Sequence, residues 1–215
     1  MATDERELSH EIASDFWRLH FYVGDSLGTL LALHGKITPR RLFTDLEELV
    51  KNPTLTILPA ELLDPDAVAE SAREILEELR GIWSAEEESI RSLFAHPTWG
   101  KGAYKESAVL GQLLDDWAQC LSSAGGTVSQ LGALELLATR EISKGVRARH
   151  SLPQKRTFDL CEKFSDRAAD YCVALRAEFH CWAPEELRRR KQERNVLAFE
   201  DLLTRTHYDI RGDAG

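Results

Sequence analysis

The chain has 215 residues, 43% of them hydrophobic, a formal net charge of −9 and four cysteines. That length makes one large domain or two small ones with enough apolar side chains for a core, and the acidic balance argues against a general nucleic-acid or anionic-membrane coat. No basic-then-apolar leader stands at Met1 and the longest apolar runs, such as Leu30 to Leu33, are far shorter than a membrane span, so the sequence reads as cytoplasmic with no membrane partner.

The charge is unevenly placed. Residues 1–136 carry 23 acidic and 11 basic side chains, residues 137–194 carry 9 and 14, and residues 195–215 carry 4 and 2. Cysteines 120, 161, 172 and 181 form no C-x-x-C pair, and the last three share one helical segment, which reads as reduced and mostly buried thiols.

From Glu5 to Val23, apolar Leu8, Ile12, Phe16, Leu19 and Val23 recur at helical spacing, with Trp17 and Tyr22 widening the stripe. A short apolar turn over Leu27 to Leu33 follows, and then Thr38-Pro39 caps a helix from Arg40 to Lys51. Two prolines make Asn52 to Pro59 extended. A long acidic helix runs from Pro65 to about Trp83 with Val68, Ile75, Leu79 and Ile82 inward, and Ser84 with Glu87 offers a capping box for a continuation to Phe94. His96 to Tyr104 is a loop, Glu106 to Leu121 a helix buried through Val109, Leu110, Leu113, Leu114 and Trp117, and another apolar helix ends near Leu137.

The character then changes. Arg140 to Arg156 holds six Lys or Arg, one Glu and one His, together with Gly145 and Pro153, and reads as a basic loop. Its six cations, Arg140, Lys144, Arg147, Arg149, Lys155 and Arg156, are the candidate contacts to duplex DNA; a protein interface, or pairing with the acidic helices of residues 61–88, are the other readings of the same stretch. After it, Phe158, Cys161, Phe164, Ala168, Tyr171, Leu175, Phe179 and Trp182 line one face for seven turns, with Pro184 either kinking that helix or starting a new one. Without repeats or strand-rich stretches, the fold class is all-α, an irregular multi-helix bundle.

Three patterns resemble sites without completing one. His10-Glu11 opens a zinc-protease pattern, but Ser14 stands where the second histidine belongs, so no metal is assigned. Gly28 and Gly35-Lys36 have the wrong spacing for a phosphate loop, and Ile37 replaces its Ser or Thr. Asp115-Asp116 point about 100° apart on a helix and read as a solvated face.

Near the C-terminus a run of helix formers through Arg194 gives way at Asn195 to Val196-Leu197-Ala198-Phe199-Glu200-Asp201-Leu202-Leu203. This segment, a charged helix followed by V-L-x-F-D-D-L-L with Glu200 in place of the first Asp, resembles the RecB family of exodeoxyribonuclease V subunits, relatives of the UvrD/Rep superfamily 1 helicases. Asp15 to Tyr22, Leu79 to Trp83, Trp99 to Tyr104 and Lys144-Gly145 ahead of Pro153 are similar to further landmarks of that family. The resemblance implies a helical 1B-type insertion over residues 1–194 and a return segment into the motor domain over 195–215, with Phe199, Glu200, Asp201, Leu202 and Leu203 as the return motif.

It further implies a non-catalytic piece of an ATP-dependent helicase and exonuclease acting on DNA ends in recombinational repair. ATP and magnesium belong to the parent; these residues carry no phosphate loop, no catalytic residue and no cofactor. The expected partners are duplex DNA, held weakly and without sequence preference, and the rest of the helicase with its partner subunits. Contact with about three phosphates implies a slope of log affinity against log salt of roughly −3. A helical protein–protein interaction module within a multi-subunit complex is the alternative.

Overall fold

The computed structural model describes residues 2–22, 26–52, 63–95, 104, 107–122, 127–146 and 154–194. Over these the chain is all-α: α1 (Ala2–Phe21), α2 (Ser26–His34), α3 (Pro39–Lys51), α4 (Pro65–Ala95), α5 (Ser107–Ser122), α6 (Val128–Leu136), α7 (Thr139–Gly145) and α8 (Arg156–Glu193). No helix among the described residues is long and apolar enough to cross a membrane. The chain divides into two compact units, one built from Met1–Val23, Thr38–Leu62 and Arg176–Gly215, the other from Gly24–Ile37 and Leu63–Leu175.

In the first unit the α1 stripe buries Leu8, Ile12, Ala13 and Phe16 at helical spacing. Phe16 meets Phe179 edge to face at 5.0 Å between ring centroids and Trp182 at 5.5 Å, so one ring joins α1 to α8. Beyond Phe16 the expected stripe fails: Leu19 is 71% exposed and Tyr22 86%. The buried face continues instead through His20, whose ring lies 4.2 Å from that of Phe16 and whose Nε2 reaches Glu178 at 3.5 Å. Thr38 opens α3 as expected, its hydroxyl accepting the Arg41 N–H at 3.2 Å with Pro39 next in line, and Leu42 and Leu46 are fully buried.

In the second unit the stretch read as an apolar turn is the nine-residue helix α2. Its small residues explain the difference: a Cβ on Gly28 would lie 2.9 Å from the Tyr171 hydroxyl, and one on Gly35 3.3 Å from Cys172 Cβ, so glycine lets α2 lie close against α8. The glycines that resembled a phosphate loop are therefore packing residues, and Lys36, at φ 58°, ends the helix in the left-handed region.

Asp64 and Pro65 start α4, the Asp64 carboxylate accepting the Asp66 N–H at 3.0 Å. The helix then runs 31 residues with no break at Ser84. Its buried stripe, Ala72, Leu76, Leu79, Trp83, Ile90 and Phe94, stays in one register across that point, where a new helix start would have rotated it. Trp83 faces inward, while Ile75 and Ile82, expected there, are half-buried.

Trp83 packs on Trp117 of α5 with centroids 4.0 Å apart, and Leu113 and Leu114 are buried beside it on the same helix. Thr127 and Gln130 form a reciprocal capping box at the start of α6. Phe158, Cys161, Phe164, Ala168, Tyr171 and Leu175 are buried in this unit and Phe179 in the first, while Trp182, the last residue of the expected stripe, is half-buried; α8 passes Pro184 as one helix rather than starting again there. Of the cysteines, Cys120 and Cys161 are buried, Cys172 half-buried and Cys181 exposed, so fewer are sequestered than the pattern suggested.

Candidate nucleic-acid interface

Four of the six cations singled out from the sequence lie among the described residues. Arg140 and Lys144 stand on a helix, not on the expected loop: α7 forms because Ile142 turns into the core and Thr139 and Arg140 bind α8 across the chain. The Thr139 hydroxyl donates to Asp159 at 2.8 Å, and the Arg140 backbone N–H donates to Glu162 at 3.1 Å. The Arg140 guanidinium donates to Ser165 at 2.7 Å and pairs with Asp166. Lys144 pairs with Glu141 at 2.6 Å.

Lys155 and Arg156 begin α8 and dock it on α4. Lys155 donates to the Ser89 hydroxyl at 2.8 Å, Arg156 pairs with Glu78, and Thr157 donates to Glu86. Three of the four described cations therefore hold a carboxylate, and one of them, Arg156, pairs with the acidic helix α4. Arg147 and Arg149, and the return motif Phe199, Glu200, Asp201, Leu202 and Leu203, lie outside the described residues.

Gly145 closes α7 for a steric reason. A Cβ there would meet the Tyr104 ring, 2.8 Å from Cγ and 2.9 Å from Cε2. That ring cannot swing away easily, since its hydroxyl donates to the Leu136 carbonyl and its face stacks near Phe94 at 6.4 Å. Burial pushes the Tyr104 phenol far above its ordinary pKa, with Glu141 adding to the effect, so it stays a neutral donor.

Two charged clusters in the first unit escaped sequence reasoning. The first is a ladder between α1 and α8: Lys191 pairs with Glu5 at 2.6 Å, Arg190 with Asp15 at 2.9 Å and with Glu186 at 2.7 Å, and Arg194 with Glu11 at 2.7 Å. The hydrogen bond from Arg189, aided by Arg190 and opposed by burial, holds the Glu186 carboxyl down at about 2.

The second cluster surrounds Asp45, which is only 8% exposed. Its Oδ1 takes Arg41 Nε at 3.2 Å and its Oδ2 takes Arg176 Nε at 3.1 Å and Nη2 at 3.0 Å. His180 Nε2 stands 3.8 Å from the same oxygen, too far for a hydrogen bond. Burial alone would raise the carboxyl's pKa, but His180, Arg176 and Arg41 outweigh it and hold it below the ordinary value. The Arg41–Asp45 spacing of four was visible in the sequence; Arg176, 131 residues away, carried no local signal.

Among the described residues no group of three His, Cys, Asp or Glu converges as a metal site. Asp115 instead pairs with Arg91 at 2.9 Å, and Asp116 accepts from Gln112 at 2.8 Å. The chain matches no protein-family model and no curated protein sequence.

Proposed function

We propose that these residues form a non-catalytic helical insertion, of the 1B type, in a RecB-like helicase and nuclease, where they help to hold duplex DNA while DNA ends are unwound for recombinational repair. The observation that carries this reading is the ladder between α1 and α8: Lys191–Glu5 and Arg194–Glu11 bring the first and last described helices of the first unit side by side. An insertion has to leave and re-enter its parent at neighbouring points. The resemblance of Val196 to Leu203 to a motor-return segment supports the same reading. ATP and magnesium remain with the parent, and the remaining helicase chain and its subunits are the protein partners.

Phosphate contact through Arg140, Lys144 or Arg156 has to break an ion pair first, so the duplex contact rests on Lys155, which among the described residues holds only the Ser89 hydroxyl, with Arg147 and Arg149. With about three phosphates met, the slope of log affinity against log salt is roughly −3. Fluorescence anisotropy with a labelled duplex tests this: Arg147→Glu with Arg149→Glu abolishes low-salt binding and leaves helical content unchanged. A double variant that binds like the parent overturns the duplex role. The flanking reading frame of the gene tests the insertion itself, since helicase motifs on both sides sustain it and their absence removes it.

An interaction module is the second reading, favoured by one feature. Leu19 near the end of α1 and Tyr22 just after it leave apolar surface exposed among the described residues.

A further inference from the structure

The cluster around Asp45 has more cation than its one carboxylate neutralises. Arg41 and Arg176 grip different oxygens of that carboxylate, and their side chains remain 56% and 40% exposed. A guanidinium has five N–H donors in a fixed fork. Arg41 uses Nε and Arg176 uses Nε and Nη2, so each keeps outward donors after binding Asp45.

The neighbouring acids are engaged elsewhere: Glu47 pairs with Arg6 at 3.5 Å, Glu48 with Lys51 at 3.1 Å, and Glu178 with His20 at 3.5 Å. His180 adds a side chain whose Nε2 is buried and has no hydrogen-bond partner. Arg40 and Arg41 also occupy the first turn of α3, which has no acidic residue there, although the helix dipole disfavours cations at that end. Arg40 is exposed and has no ion pair among the described residues. Arg41 is compensated there by Asp45, whereas Arg40 breaks the local rule without an ion pair among the described residues, as is expected at functional or strained sites.

We infer that Arg41 and Arg176, oriented by the buried Asp45 with His180 beside them and Arg40 flanking, form a binding site for a phosphate group. Two guanidiniums locked on one carboxylate are already ordered, so a tetrahedral oxyanion meets charge-assisted donors without the entropy cost of gathering them. This site is separate from the duplex contact proposed through Lys155, Arg147 and Arg149, and its failure leaves that contact untouched.

The test is the thermal midpoint of the intact chain titrated with inorganic phosphate against chloride at matched ionic strength. A saturable rise is expected in the parent, and Arg41→Gln, a surface variant, is expected to lose it. Arg41→Lys keeps the charge but not the fork, and should weaken the apparent affinity roughly tenfold. Far-UV circular dichroism of both variants shows that they fold. A non-saturating rise of equal size in parent and Arg41→Gln means that phosphate acts only by exclusion from the surface, and overturns the site. In a second arm a short duplex is added to the phosphate-bound chain: displacement identifies a nucleic-acid phosphodiester as the ligand, whereas retention identifies a free phosphate or phosphomonoester.

Discussion

Gly145→Ala puts the packing beneath Tyr104 to a quantitative test. The added methyl carbon would stand 2.8 Å from Tyr104 Cγ and 2.9 Å from Cε2, with Cδ2 nearer still, so the ring or the end of α7 has to move. Overpacking of this kind costs about 1–3 kcal/mol. Moving the ring also breaks the hydroxyl's bond to the Leu136 carbonyl, which adds about 1–3 kcal/mol for a buried donor left unpaired. Against this, alanine gains at most about 1 kcal/mol over glycine in a helix, less at its last residue. The net expectation is a loss of about 2–3 kcal/mol.

With an m-value near 2 kcal/mol/M, that moves the urea midpoint, followed by far-UV circular dichroism, down by about 1–1.5 M. The same substitution made in a Tyr104→Ala background should cost less than about 0.5 kcal/mol, because the obstacle is gone and the methyl enters the space it leaves. A Gly145→Ala protein within about 0.5 kcal/mol of the parent, or one whose loss persists without the Tyr104 ring, would show that the glycine is not there for packing.

Two further outcomes follow from the first unit. Phe16→Ala, which empties the position facing Phe179 and Trp182, should cost about 3–5 kcal/mol, whereas Leu19→Ser, one turn on and 71% exposed, should stay within about 0.5 kcal/mol; denaturant titration of both variants checks the contrast. The folded-state pKa of Glu186 is depressed to about 2 from 4.5, so its contribution is complete above pH of about 4.5 and fades as pH falls towards 2. Because its partner Arg189 is half exposed, solvent screening keeps that contribution small. Glu186→Gln should therefore lower stability at pH 7 and bring it level with the parent near pH 2, and an unchanged pH profile would count against the pairing.

Helices were the part of this chain that the sequence stated most clearly, because a stripe such as Phe158 to Phe179 repeats the same instruction for many turns. Where the reading slipped, a contact distant in sequence had decided the matter. His20 displaced Leu19 from the buried face because Phe16 and Glu178 receive it. Trp83 displaced Ile82 because Trp117 lies opposite. The residues of α2 read as a short apolar turn, and Tyr171 and Cys172 supply the surface against which they form a helix. For α1 and α4 the local pattern allowed two neighbouring registers, and tertiary packing chose between them.

The candidate interface was harder to read for an electrostatic reason. Counting charge along the chain gives residues 137–194 an excess of five cations, which suggests a basic surface. Folding changes the meaning of that excess, because a cation two or three ångströms from a carboxylate contributes a short-range dipole, and only an unmatched one attracts a phosphate from a distance. Arg140, Lys144, Arg156, Arg190, Lys191 and Arg194 all have carboxylate partners, several of them in the acidic segment of residues 1–136. Much of the basic excess of the later stretch is thus taken up by carboxylates within the fold, four of these six cations pairing with acids of residues 1–136. Around Asp45 two arginines share one buried carboxylate, and there the outward donors exceed the acceptors, although neither Arg41 nor Arg176 lies in a run of like charge long enough to be noticed. A surface that attracts phosphate is set by that local imbalance, not by the density of basic residues along the chain.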